Sequence, residues 1–260
     1  GELFEVQVAK TSVGVFGRCE HLWNEARGET MDEMLDSLSK GCSAYFQRQR
    51  LIGSTIGLLG RYKGKVEDLP PIDLVKLLFC LDRDVAHEAH TVIETRASTG
   101  IFSLALVEVI KDTRHPARRI AQWCALDMFE DLPAFFTDEE GQSNAVDAIK
   151  SLIWEATDDY ARTIYKAGVV LGGHVCTDAA ADALLSCIEA PSKFGRRSAI
   201  HAAFHLAEWM PVRRGQILES LNRATETDTE PLLCKFADCM VRDIKAGSIE
   251  HVTEPVFDGE

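Results

Sequence analysis

Apolar positions recur along this chain at helical spacing, in stretches separated by short polar turns and single glycines. Met31, Met34, Leu35 and Leu38 follow Thr30, which precedes Glu33 at capping-box spacing, so a helix is expected to begin there. A second helix is expected over Ala44 to Leu59, punctuated by Gly41 and Gly60. After a polar loop ending at Pro70-Pro71, the periodicity predicts helices in successive pairs. These are Ile72 to Leu81 with Val85 to Ala97, Phe102 to Ile110 with Pro116 to Asp131, and Ala145 to Glu155 with Tyr160 to Leu171. Ala179 to Ile188 then pairs with Gly195 to Met210, and Arg214 to Arg223 with Pro231 to Ile244. The charged stretch Thr137 to Ser143 is expected as the longest loop insertion. Residues 2–8 alternate apolar and polar, which fits a short strand and a frayed end equally, and no convincing run of strands follows.

A repeat underlies the pairs. Laying Arg118 on Arg196 brings Arg119 onto Arg197, Ala121 onto Ala199, Ala125 onto Ala203 and Pro133 onto Pro211, at a constant offset of 78 positions. Two units of about 39 residues each fit that offset, a length typical of two-helix repeats. Each second helix follows a short polar turn, opens with polar or basic residues and continues with Ala or Gly. Small residues let neighbouring helices approach, which serves the stacking of units that cannot bury an apolar face alone.

With these residues in view, the chain resembles HEAT-like helical repeat proteins of the short bacterial, PBS-lyase type. The match lies in Asp112 with Arg118, Ala121, Ala125 and Leu126, in Asp158 with Arg162, and in Arg196 with Ala199 and Ala203. It covers roughly residues 30–245 and is more specific for fold than for function. The fold it implies is all-α, a right-handed α-solenoid of five to six helical hairpins. The expected organisation is an N-terminal segment 1–28 that is partly disordered or caps the repeats, a repeat domain 29–246, and a flexible acidic tail 247–260.

In such repeats the second helices line the concave face. Arg118, Arg119, Arg162, Arg196 and Arg197 all lie near second-helix starts, so they are candidates for a basic ridge. Trp123 and Tyr160 are candidate apolar anchors beside them. The competing reading is a structural ladder, in which each arginine bonds a preceding Asp or a neighbouring carbonyl and fixes the stack. His201 and His205 stand four apart on one helical face, with Glu208 three further, a weak candidate for a metal site. His87-Glu88 is similar to the His-Glu pairs of deoxyhypusine hydroxylase, but Arg118-Arg119, Arg162-Thr163 and Arg196-Arg197 stand where further pairs would be needed. Alkylpurine DNA glycosylases share the HEAT-like repeat, and Trp123, Trp154 and Tyr160 beside Arg118 and Arg162, with Asp127 or Asp159, would be the corresponding groups.

A net charge of -13 disfavours nucleic acid as a general partner. No apolar run approaches the roughly 20 residues needed to cross a bilayer. The eight cysteines contain no CxxC pair and read as small buried hydrophobes, which fits a reducing, cytoplasmic setting. The expectation is a non-catalytic scaffold or adaptor that binds a protein or peptide partner carrying acidic groups, with no cofactor. The alternative is a HEAT-like enzyme, of the metal-dependent oxygenase or alkylpurine DNA glycosylase type.

Overall fold

The computed structural model describes residues 6–11, 14–19, 24–38, 66–78, 83–96, 101–113, 118–131, 139–156 and 161–247. The expected helix at Ala44–Leu59, the turn at Thr157–Asp159, Pro116, Tyr160 and the tail beyond Gly247 lie outside them. The chain divides into two compact units, Gly1–Arg61 with Glu260, and Tyr62–Gly259. The sequence boundary was expected at residue 28.

The first unit departs from an all-α reading. β1 (Gln7–Thr11), β2 (Gly14–Cys19) and β3 (Asn24–Gly28) form an antiparallel three-stranded sheet in chain order. Thr11 pairs with Gly14, and Gly14 has φ +136°, a backbone that favours glycine. Helix α1 (residues 31–38) follows directly. Its capping box forms as expected: Glu33 N–H donates to Thr30 Oγ1 at 3.3 Å, and Thr30 N–H donates to Glu33 Oε2 at 3.2 Å. Met34 and Leu38 are buried while Met31 and Leu35 stay exposed. Met34 lies so close over Gly17 that a Cβ there would meet its Sδ at 2.1 Å. Gly17 and Gly28 are thus places where helix and sheet come close.

The second unit is helical throughout its described residues. Its helices are α2 (Pro71–Leu77), α3 (Arg83–Arg96), α4 (Ile101–Lys111), α5 (Arg118–Asp131), α6 (Glu139–Trp154), α7 (Ala161–Val169), α8 (Asp178–Cys187), α9 (Lys193–Trp209), α10 (Arg214–Thr227) and α11 (Pro231–Ala246). Each even-numbered helix packs on the odd-numbered one that follows it, giving the hairpins that the periodicity predicts. Next-but-one neighbours pack as well: α2 on α4, α4 on α6 and α6 on α8, and likewise α5 on α7, α7 on α9 and α9 on α11. Between these two series lies an apolar core that includes Phe102, Leu106, Leu126, Phe129, Ile149, Ile164, Leu184 and Ile200. Among the described residues no helix is long and apolar enough to cross a membrane.

Two local departures have physical causes. Residues 139–143, expected in a loop, form the first turns of α6. A carboxylate near a helix start opposes the exposed N–H groups favourably, so Glu140 suits a helix opening better than a loop. The second departure follows α7, where Val170–Val175 continue in π-helical form and Cys176 takes a left-handed backbone (φ 45°). Thr177 then caps α8, its Oγ1 accepting from Ala180 N–H at 3.2 Å.

Candidate functional site

The arginine series resolves into three different fates. Arg118 and Arg196, at matching repeat positions, each donate from Nη1 to the carbonyl five residues earlier, Thr113 O at 3.2 Å and Pro191 O at 3.0 Å. Arg196 also donates to Ala190 O at 3.0 Å and forms a two-pronged pair with Asp228, at 2.8 and 3.1 Å. Asp228 in turn accepts from Glu230 N–H at 2.8 Å, so one carboxylate ties the start of α9 to the turn before α11. Arg119 and Arg197, again at matching positions, are only 6% exposed. Arg119 Nη1 donates to Gln122 Oε1 at 3.0 Å, and Gln122 in turn donates to Ile110 O at 2.8 Å. A partner does not reach these two guanidinium groups, which corrects their expected place in a surface ridge. Arg162 alone of the five is exposed, and its guanidinium lies 5.1 Å from the centre of the Trp123 ring.

The packing of α7 against its neighbours explains why the next groups meet. Thr163 Oγ1 donates to Arg119 O at 2.9 Å on α5, and Ser198 Oγ on α9 donates to Ile164 O at 2.7 Å on α7. These hydroxyl contacts hold α5, α7 and α9 at close range. A Cβ on Gly168 would meet Ser198 Oγ at 2.3 Å, and one on Gly172 would meet Ala202 O at 2.5 Å.

On the half-buried side of α5 and α7, this spacing assembles a mixed aromatic and charged group. Trp123 and Asp127 are one turn apart on α5, and Arg162 and Lys166 are one turn apart on α7. The Lys166 ammonium lies 4.5 Å from the Trp123 ring centre and pairs with Asp127 and, at 2.8 Å, with Glu130. Burial draws Lys166 down to about 8, so it still carries charge at neutral pH and the two carboxylates match it. His174, in the π-helical turn, approaches Glu130 Oε1 at 3.6 Å. Beneath this group, burial pushes the Cys124 thiol up to about 12, which keeps it protonated and unreactive. Cys187 is buried as well, and burial raises it to about 11.

The histidines of α9 continue the same side. The Tyr165 ring lies 4.6 Å from that of His201, joining α7 to α9. His201 and His205 bring their Nε2 atoms to 3.2 Å, and Nδ1 of His205 faces Glu208 Oε2 at 3.5 Å. Burial first, and then the neighbouring His205, lower His201 to about 4, so it is neutral at physiological pH. Its Nδ1 is buried without a hydrogen-bond partner, so a proton there would be poorly accommodated. Glu208 therefore sits behind a ring rather than beside the two Nε2 atoms, which corrects its expected place as a third ligand. Among the described residues no three His, Cys, Asp or Glu side chains gather as a metal cage. His87 is exposed on α3, and Trp154 is exposed on α6, away from the second-helix series.

Sequence reasoning missed Lys166, Glu130, Tyr165 and His174. The signal for Lys166 was its place one turn after Arg162; that of His174 was hidden by the Gly172-Gly173 break. Comparison with protein-family models, with curated proteins and with solved structures finds no match to this chain.

Proposed function

We propose that the protein is a HEAT-like repeat module that binds a protein or peptide partner on the α5–α7–α9 side, without catalysis of its own. Support for the repeat reading comes from the alternating neighbour pattern and from the identical carbonyl contacts of Arg118 and Arg196 at an offset of 78 positions. One observation carries the binding reading. Trp123 is half-buried and bracketed by Arg162 and Lys166, while Asp127 and Glu130 already neutralise the lysine. A side with a large aromatic face and both charge signs suits a mixed polypeptide surface better than a run of phosphates. Arg162 is the group placed to meet an acidic residue of that partner, with Trp123 and Tyr165 as apolar contacts.

The test is recovery of partners from the native source on untagged protein at low salt, comparing wild type with Trp123→Ala and Arg162→Glu. A partner retained by the wild type and lost by both variants, whose helical spectra stay unchanged, bears the reading out. Equal recovery by all three proteins sinks it.

A second reading, a DNA glycosylase of HEAT-like architecture, is favoured by one juxtaposition: Trp123, Asp127 and Arg162 sit on adjoining helices. Binding of alkylated duplex DNA that falls with Asp127→Asn would favour it over the adaptor.

A further inference from the structure

We infer that the corner between α9 and α10 is a docking knob for a second protein, one whose apolar socket is rimmed by lysine or arginine. Trp209, Met210, Pro211 and Val212 follow one another at this corner, where Trp209 is 66% exposed and Val212 96%. Elsewhere in the helical unit the exposed large apolar side chains among the described residues, Leu104, Trp154 and Leu232, stand singly. A single exposed apolar residue is ordinary, whereas a contiguous run headed by tryptophan matches the centre of a protein interface.

The corner is held from beneath. Met210 N–H donates to Leu206 O at 2.8 Å and Arg213 N–H to Met210 O at 2.9 Å, so Pro211–Arg213 form a short 3-10 turn at the end of α9. The Arg213 side chain then reaches α8, where Nη1 donates to Asp178 Oδ1 at 3.2 Å and Nη2 donates to Asp182. A turn fixed in this way loses little freedom when a partner covers it, which favours binding. Charge decides the partner's chemistry. The Arg213 side chain is only 21% exposed, and Arg214 turns in to donate to Ile244 O. The Asp178 and Asp182 side chains, by contrast, are 79% and 64% exposed, and Glu208 is exposed beside Trp209. Cations face inward and carboxylates outward, so the rim of the knob is negative and suits a basic rim opposite. A second copy of this chain meeting the same corner would set like charges together, and so would an anionic bilayer. This contact is independent of whatever docks beside Trp123 and Arg162.

The experiment places the photo-reactive residue p-benzoylphenylalanine at Val212 of the full chain, and at Leu104, exposed on α4, as a control. After irradiation in an extract of the native source, the cross-linked protein is identified, purified and titrated against the wild type. The expected result is a cross-link to that protein from the position of Val212 and none from that of Leu104. Its affinity should fall about tenfold or more in Trp209→Ser and stay unchanged in Arg162→Glu. It should also weaken as salt rises from about 50 to about 300 mM. Trp209 and Arg162 are both exposed, so neither substitution disturbs the core. Equal affinity for wild type and Trp209→Ser, or binding that ignores salt, overturns the inference. A cross-link only to a second copy of the chain, or none at all, overturns it too. Wild-type binding to vesicles of phosphatidylcholine and phosphatidylserine, lost in Trp209→Ser, would assign the corner to a lipid surface instead.

Discussion

Arg118 and Arg196 occupy the same place in the repeat and make the same carbonyl contact, yet their surroundings differ in a way that sets their energetic weight. The Arg196 side chain is 13% exposed and its partner Asp228 is 2% exposed, so removing the arginine leaves a buried carboxylate without its charge partner. Arg196→Ala is therefore expected to cost about 3 kcal/mol in denaturant unfolding. Arg118→Ala should cost about 1 kcal/mol or less, because its bond lies at an exposed turn. Equal losses in the two variants would contradict this account. The cysteines give a second residue-scale prediction. Cys124 has an ordinary thiol value of 9.0 and is held near 12 in the fold. Below pH 9 both folded and unfolded chains keep that proton; above it the unfolded chain loses the proton first. Stability should then fall by about 1 kcal/mol per pH unit as pH rises above 9. Cys124→Ala, compared by urea unfolding at pH 8 and 10, should show a smaller fall. In the folded protein at pH 8, alkylation should modify Cys234 or Cys239 before Cys124 or Cys187, as peptide mass spectrometry can read.

At the scale of elements, the sequence was most legible where one rule acted alone. Periodicity placed the paired helices from α2 to α11, and the Thr30–Glu33 spacing located the start of α1, because capping and one-sided burial are local in sequence. The strands were not legible. β3 reads Asn-Glu-Ala-Arg-Gly, with no β-branched residue, and it pairs because β2 and the Met34 contact hold it there. The π-helical turn after α7 is also a tertiary outcome, accommodating the close approach of Gly172 to Ala202 on α9. Gly168→Ala tests that closeness. Its new methyl would meet backbone as well as Ser198 Oγ, so a loss of about 2 kcal/mol is expected, although alanine favours helices intrinsically. A gain in melting temperature would show that α7 and α9 have room to part.

For the whole molecule, the division between Arg61 and Tyr62 predicts that residues 62–259 fold alone. Expressed without the first unit, they should keep a helical spectrum and a single cooperative melt; a broad, non-cooperative transition would show that the division is only geometric. By itself the sequence determined the helical pairing, the turn-and-arginine grammar and the 78-residue echo, since each depends on spacing within a few turns of chain or on direct repetition. Only the tertiary structure decided which arginines are buried, that Lys166 meets Asp127 and Glu130, and that Tyr165 meets His201. Those outcomes depend on the depth and rotation at which one helix packs on another. Residue types at a given spacing permit several such packings, and burial energy summed over both helices selects one.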